Sequence, residues 1–238
     1  MALTPVFRHD GLSVHWVGGG LYLQAPGEGL LIDAPVACVE ALQALGALPV
    51  LHSILLASGR PRAVAGIVPL LCALEPHRRT DTPLCLRSCL QEERGVGLAS
   101  AWSTAWSDRY PLLLDGIAPG ESFETGPFEV VTVPVRHGEP RWNPEPAVEA
   151  AKGVAVRVRA LGAEIAWVPG AAPGPPVRRV CRGADLAVVE VGVERWPSDG
   201  QQWRMTVEDA VREATEATEV WLVGDDGRFG IPGHRDPQ

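Results

Sequence analysis

Residues 53–71, with the sequence SILLASGRPRAVAGIVPLL, contain the change of pattern that decides the fold. Residues 53–57 are a short apolar run, which predicts a buried strand. A Gly-Arg-Pro-Arg loop follows, and residues 63–74 are apolar almost all round a helix, which predicts a buried helix. Pro69 is expected to kink this helix or to delay its start.

The residues before this stretch predict a region of short strands. Gly18-Gly19-Gly20 marks a turn between two of them, and Ala34-Pro35 ends a third. The expected strands are residues 13–17, 21–24 and 29–33, and a helix is expected over residues 37–45.

The residues after it predict further strands and helices. Residues 128–135 alternate in polarity and are rich in β-branched side chains, which is typical of a strand. Thr206 is expected to cap a helix with Asp209 in its third position. Residues 171–176 (AAPGPP) are interpreted as a loop, and residues 225–238 as a loop or disordered tail.

Other expected elements are strands at residues 83–86, 184–191 and 219–223, a hairpin of residues 154–160 and 163–168 about Leu161-Gly162, a helix within residues 88–106, and an apolar helix stripe of Val207, Ala210, Val211 and Ala214.

Length and charge narrow the class of protein. The 238 residues are expected to form one domain over residues 1–238. The net charge of −8 argues against a nucleic-acid or membrane-surface binder, because both partners would repel such a surface. The longest mostly apolar run, residues 63–74, is shorter than the ~20 residues that cross a bilayer. Residues 1–10 lack a basic segment followed by an apolar one, so a cytoplasmic location is expected.

The five cysteines do not form a recognisable metal or redox motif. Cys85 and Cys89 would lie one turn apart if a helix formed there, but no second pair completes a site. The cysteines are therefore expected to be reduced, mostly buried thiols.

Six segments within residues 13–226 follow one another in a characteristic order: GLLIDAP, SILLASGRPRAVAGIVPLL, FEVVTVPVRHG, GVAVRVRALGAEIAWVPGAAP, ADLAVVEVGVE and RMTVEDAVREATEATEVWLVGDD. In this order they resemble the metallo-β-lactamase superfamily, particularly its branch of phosphodiesterases and transfer-RNA-processing nucleases. Each segment alone is weakly specific, and the ordered set is more so. The resemblance implies an α/β fold, a four-layer αββα sandwich with the active cleft at one edge of the two sheets.

The resemblance also implies seven metal-ligand positions, and only one of them keeps its ligand. The family loop H-x-H-x-D-H falls on Ser58, Arg60, Arg62 and Ala63, the next histidine is present as His137, the bridging aspartate falls on Gly170, and the last histidine on Gly224. A hydrolytic dinuclear site needs several lone-pair donors around each cation. Guanidinium groups have no acceptor lone pair and would repel a dication, so the family's metal-activated hydroxide is not expected here.

Two other uses of this region stay open. One is a mononuclear metal site rebuilt from His137, Asp225, Asp226, Glu190 and His234, although a turn at Asp225-Asp226-Gly227 and a strand cap at Glu190 are the favoured explanation of the acids. Alternatively, Arg60, Arg62, Arg136 and His137 are a set that would bind a phosphate or carboxylate, unless the arginines pair with Asp33 and the tail acids. Asp33 itself is expected to hydrogen-bond loop amides near Ser58.

Three functions follow from these alternatives. The first is a catalytically inactive family member that acts as an adaptor or regulatory subunit for a protein partner, without cofactor, nucleic acid or membrane. The second is a sensor of anionic small molecules that uses Arg60, Arg62 and His137. The third is a hydrolase with a rearranged site. Partly exposed Trp142, Trp196 or Trp203 would anchor a partner in the first case, whereas Trp102, Trp106 and Trp167 are expected in the core.

Overall fold

The computed structural model describes residues 4–58, 61–78, 83–88, 110–135, 153–192 and 205–224. The chain divides into two compact units. The first contains residues 1–118 and 124–128, and the second contains residues 119–123 and 129–238. No helix among these described ranges is both long and apolar enough to cross a membrane.

The first sheet has seven strands in the order β1 to β7. Neighbours from β1 to β4 are antiparallel, and neighbours from β4 to β7 are parallel. The strands are β1 (Phe7–His9), β2 (Leu12–Trp16), β3 (Leu21–Ala25), β4 (Glu28–Ile32), β5 (Leu51–Leu56), β6 (Leu84–Ser88) and β7 (Leu112–Gly116). The three strands predicted before residue 34 and the strand at residues 53–57 are confirmed, whereas β1 and β7 were not predicted.

The helices of the first unit cover one face of this sheet. They are α1 (Cys38–Ala44), α2 (Pro61–Val64) and α3 (Ile67–Leu74), with short 3₁₀ turns at Leu48–Val50 and Glu75–His77. Their apolar side chains pack on those of the strands, with Leu42 of α1 and Leu70 of α3 against Ile54 of β5 in one buried cluster. A strand that leads through a short loop into a buried helix is therefore the core of this unit, as residues 53–71 predicted.

The continuous helix predicted over residues 63–74 is wrong in one respect. A turn at Ala65 and Gly66 separates α2 from α3. The amide of Gly66 donates to the carbonyl of Ala34 at 2.7 Å instead of to a carbonyl of its own helix. Pro69 is the third residue of α3 and lies in the first turn, where its missing N–H costs nothing.

The second sheet has six strands in the order β13-β12-β11-β10-β9-β8. Strands β9, β10 and β11 are antiparallel neighbours, and β11, β12 and β13 are parallel. The strands are β8 (Ser122–Thr125), β9 (Phe128–Pro134), β10 (Val154–Ala160), β11 (Ala163–Val168), β12 (Leu186–Glu190) and β13 (Glu219–Val223). All but β8 were predicted, and Trp167 of β11 is 1 % exposed, as expected for a core residue.

Two helices pack on the second sheet, α4 (Pro175–Cys181) and α5 (Val207–Glu213). Small side chains on the strands, such as Ala155 and Ala166, share a buried cluster with Val180 of α4 and Ala210 of α5. The loop predicted for residues 171–176 is wrong at its end, because Pro175 and Pro176 open α4. Proline is favoured in the first turn of a helix, where its fixed φ fits and its missing N–H is not needed.

Helix α5 has the predicted cap but not the whole predicted stripe. The Thr206 hydroxyl accepts from the Asp209 amide at 3.2 Å, and the Asp209 carboxylate accepts from the Thr206 amide at 3.3 Å. Ala210 is buried as predicted, but Val207 and Val211 are exposed. The helix buries Glu213 instead, because its carboxylate forms an ion pair with Arg178 of α4 at 2.9 Å.

Leu161 gives a prediction about stability. Leu161 and Gly162 form the predicted two-residue turn between β10 and β11 with φ of 50° and 85°, the type I′ arrangement. A leucine in this left-handed region is strained, and its side chain is partly exposed. Leu161→Asn should therefore raise the free energy of unfolding by about 1 kcal/mol, measured by urea unfolding. Leu161→Ala, which keeps the strain, should change it little, and equal gains in both variants would contradict this explanation.

His15 gives a prediction about pH. Burial, and then the charge of Arg8, lower the pKa of His15 below its ordinary value. The unfolded chain therefore binds the proton first, so stability is complete above pH ~6.5 and falls as the pH drops towards the folded pKa. His15→Gln should flatten the loss of stability between pH 7 and 5 in urea unfolding. An unchanged slope in His15→Gln would contradict the assignment.

Candidate functional site

Asp33 organises the loop that follows β5. It comes directly after β4, is completely buried, and has a positive φ of 60°. One carboxylate oxygen, Oδ1, accepts hydrogen bonds from the amides of Ala57 at 2.9 Å and Ser58 at 3.2 Å. These are the loop amides that the sequence predicted as its partners. The carboxylate therefore fixes the point where the chain leaves β5 for the family's ligand loop.

The backbone of the Asp33 loop is braced from α2 and α3. The amide of Ala34 donates to the carbonyl of Ala63 at 2.6 Å, next to the bond from Gly66 to Ala34. A Cβ on Gly66 would lie 2.2 Å from the carbonyl oxygen of Pro35, so only glycine fits there. The two loops are thus held together by backbone contacts that need no metal.

Two family ligand positions are described in the first unit, and neither has an imidazole or carboxylate. Ser58 and Ala63 are each 1 % exposed. A methyl group has no lone pair, and a neutral hydroxyl is a weak ligand beside imidazole or thiolate. Arg60 and the side chain of Arg62 lie outside the described residues.

The two family positions described in the second unit are both glycines. Gly170 follows β11, and its amide donates to Oε2 of Glu190, the last residue of β12, at 2.7 Å. Glu190 is 4 % exposed, so this hydrogen bond is buried. Gly224 directly follows β13. The position of the bridging aspartate is therefore a backbone amide capped by a buried acid.

These four positions do not fit a dinuclear metal centre. No group of three or more histidine, cysteine, aspartate or glutamate side chains in the described part of the chain is arranged to hold a metal ion. Glu190 uses an oxygen on a backbone amide rather than joining such a group. His137, Arg136, Asp225, Asp226 and His234 lie outside the described residues, so the anion set and the rebuilt metal site stay predictions.

A cavity of about 340 Å³ opens in the second unit beside the segment that follows Gly170. The described residues that line it are Val135, Ala172, Pro173, Gly174, Pro175 and Pro176, and none of these is charged.

The described cysteines are unbonded thiols. Cys38 and Cys181 are buried, and burial raises the pKa of each to about 12, which keeps them protonated. Cys72 is exposed and Cys85 is half-buried, so burial is less general than predicted. Cys85 lies in β6, so the idea of a helical turn from Cys85 to Cys89 is wrong.

A family model described as the β-lactamase superfamily domain matches residues 37–223. The chain belongs to this superfamily. The match covers the loop after β5 and continues to the end of β13. The resemblance inferred from the six segments is therefore confirmed. The four described ligand positions, Ser58, Ala63, Gly170 and Gly224, carry no imidazole or carboxylate.

Several solved structures of this superfamily share the fold. The metallo-β-lactamase fold protein YhfI from Bacillus subtilis is 18 % identical with a TM-score of 0.66, over 97 % of this chain and 85 % of that one. The short form of human tRNase Z is 13 % identical with a TM-score of 0.68, over 97 % and 98 %. Zn²⁺-bound PqqB from Methylobacterium extorquens is 18 % identical with a TM-score of 0.63, over 84 % and 73 %. No curated protein matches the chain.

These matches confirm the predicted α/β fold of metallo-β-lactamase type, with two mixed sheets flanked by helices. At this level of identity they establish the fold alone.

The hydrogen bond between Gly170 and Glu190 and the brace at Gly66 were not predicted. Both join residues from different strands or loops, which periodicity does not report. The available signal was chemical: a buried strand that ends in glutamate needs a hydrogen-bond donor for the acid.

Asp33 gives a prediction that is independent of metal. Asp33→Ala leaves two buried amides without their acceptor and should lower the free energy of unfolding by roughly 3 kcal/mol. Asp33→Asn keeps an acceptor oxygen and tolerates the positive φ, so it should cost much less. Urea unfolding in chelator-treated buffer measures both. Equal losses in the two variants would show that the charge, and not the hydrogen bonds to Ala57 and Ser58, matters.

Proposed function

We propose that this member of the β-lactamase superfamily has no metal-dependent hydrolase activity and acts as an adaptor or regulatory subunit that binds a protein partner. The single observation that supports it most is the nature of the described ligand positions. They present the Ser58 hydroxyl, the Ala63 methyl, and two glycines.

The family's reaction needs a metal ion that lowers the pKa of a bound water and polarises the scissile bond. Zinc sites of this kind use several imidazole and carboxylate ligands around each ion. Gly170 stands at the position of the family's bridging aspartate, and Gly224 at that of its last histidine. Neither has a side chain, so no change in backbone conformation supplies the missing ligand. Adjusting the loops cannot replace an absent donor.

Two buried acids form hydrogen bonds with the backbone at these positions. Asp33 Oδ1 receives two amides from the loop after β5. Glu190 Oε2 receives the amide of Gly170. Turning Asp33 Oδ1 or Glu190 Oε2 towards a cation would leave buried amides unsatisfied, at roughly 1–3 kcal/mol for each group. This cost favours a scaffold in which the fold is retained and the metal chemistry is not.

An exposed apolar side chain beside Asp33 supports the binding role. Val36 has the largest exposed fraction, 64 %, among the large apolar side chains of the described residues. It lies in the braced segment between β4 and α1, next to the buried Pro35. A rigid loop presents such a group at little entropic cost, which suits contact with a protein partner.

The metal content of the purified full-length chain tests the loss of hydrolysis. After incubation with Zn²⁺, Mn²⁺ or Fe²⁺ and desalting, we expect far less than one metal ion per chain and no hydrolysis of phosphodiester, thioester or lactam substrates. Elemental analysis and product assays measure this. Stoichiometric metal together with hydrolysis that His137→Ala abolishes would overturn the proposal and favour the rearranged hydrolase.

A variant with restored ligands is the matched control. It combines Ser58→His, Arg60→His, Arg62→Asp, Ala63→His, Gly170→Asp and Gly224→His with the native His137. If side chains alone prevent metal binding, this variant should retain zinc stoichiometrically and unfold at a higher temperature with zinc than without it. Zinc retained equally by the native chain would contradict the explanation.

The partner is tested with the exposed loop. A protein partner that contacts Val36 should bind Val36→Asp with at least tenfold lower affinity than the native chain in a quantitative binding assay. Val211→Asp, at a similarly exposed position on α5, is the matched control and should bind like the native chain. Equal binding by both variants would place the contact elsewhere.

A further inference from the structure

His15 of β2 is a buried histidine beside the outermost strand of the first sheet. It is 6 % exposed, and its Nε2 lies 3.1 Å from the Ser13 hydroxyl oxygen. The other ring nitrogen, Nδ1, is inaccessible to solvent and has no hydrogen-bond partner in the part of the chain that the structure describes. A neutral imidazole has only one N–H donor, so this arrangement suits the uncharged form.

Protonation would make the buried position of His15 costly. The imidazolium has two N–H donors, and the one on Nδ1 would be buried without an acceptor. Burial, and then the charge of Arg8, lower the pKa of His15 below its ordinary value. The folded chain therefore keeps His15 neutral, and a conformation that hydrates the imidazole binds the proton more tightly.

The groups that face His15 come from both neighbouring strands. Tyr22 of β3 is its cross-strand partner, with ring centroids 6.2 Å apart. Burial raises the pKa of this phenol, so Tyr22 stays neutral and supplies no counter-charge. Arg8 of β1 is the cross-strand partner of Ser13, so it lies on the same face of the sheet as His15. Among the described residues, Arg8 is the one charged group that acts on the imidazole.

β1 is attached to the rest of the described sheet by few contacts. It has three residues, stands at the end of the strand order and pairs there with β2 alone. The amide of Val6 adds one hydrogen bond to the carbonyl of Val14 at 2.8 Å. Asp10 and Gly11, with φ of 36° and 91°, form a tight turn into β2. Residues 6–9 can therefore leave β2 about this turn while the other strand pairs of the sheet stay intact.

We propose that β1 is an acid-sensitive flap, and that protonation of His15 releases Phe7–His9 from β2. Release moves the guanidinium of Arg8 away from the new positive charge and gives the imidazolium access to water. It also uncovers the backbone N–H and C=O groups along the edge of β2, which are then free to pair with an extended segment of another chain. The flap is independent of the proposed adaptor function, because it involves neither Val36 nor the family ligand positions.

Hydrogen exchange of the full-length chain, measured by mass spectrometry and corrected for the pH dependence of intrinsic exchange, tests the flap. From pH 7.5 to 5.5, protection of the amides of residues 6–9 should fall by at least about threefold. Its limit is about tenfold, for an imidazole that titrates at its ordinary value after release. The amides of β3 should stay far better protected than those of β1 at both pH values, because their exchange needs a larger opening. Equal protection of β1 and β3 would mean that β1 does not open by itself, and the proposal would fail.

Two substitutions separate His15 from other effects of acid. His15→Gln removes the titrating group and should abolish the acid-induced loss of protection in β1. Arg8→Glu replaces the repelling charge with one that attracts the imidazolium, and should at least halve that loss. Arg179→Gln, at an exposed arginine of α4, is the matched control and should behave like the native chain.

The exposed position of Arg8 keeps the test decisive if the buried substitution prevents folding. A loss of protection as large as that of the native chain in Arg8→Glu, or in a folded His15→Gln, would overturn the proposal. A reduced loss in Arg179→Gln would overturn it as well, because the effect would then follow net charge and not the contact between β1 and His15.

Discussion

The carboxylate of Asp33 is the constraint on which the first unit depends. It lies at the end of β4, in a backbone conformation with positive φ, and receives the amides of Ala57 and Ser58 where β5 ends. Two parallel strands are thereby joined at their carboxyl ends, and the following loop has a fixed origin. In the family this loop carries metal ligands. Here the two hydrogen bonds fix the start of a loop whose described ligand positions, Ser58 and Ala63, carry no imidazole or carboxylate.

Glycine and alanine have opposite consequences at different places in this chain. At Gly66 the absence of a side chain allows the backbone of the Asp33 loop to come close, and the fold requires it. At Ala63, Gly170 and Gly224 a small residue removes a donor that catalysis in the family requires. The first kind of position supports structure, and the second leaves a family ligand position without a donor side chain. The buried Glu190 shows how the two combine, because its oxygen caps the bare amide of Gly170.

Buried charge is treated differently in the two units. In the second unit, Glu213 is buried and pairs with Arg178, and Arg157 pairs with Glu164 on the strands. Each burial is compensated locally. The guanidinium of Arg78 in the first unit has no hydrogen-bond partner among the described residues. Desolvation is the common cost of burying these charges, and the partners within reach decide how much of it is compensated.

The sequence alone determined the order of strands and helices, the hairpin at Leu161-Gly162, the cap at Thr206, and the loss of donors at Ser58, Ala63, Gly170 and Gly224. Periodicity, turn residues and side-chain chemistry are local properties, so a single chain reports them. Tertiary structure decided the break at Gly66, the start of α4 at Pro175 and the exposure of Val211. It also added the strands β1, β7 and β8. Each of these depends on which distant group takes a hydrogen bond or covers a side chain, and neighbouring residues do not encode that.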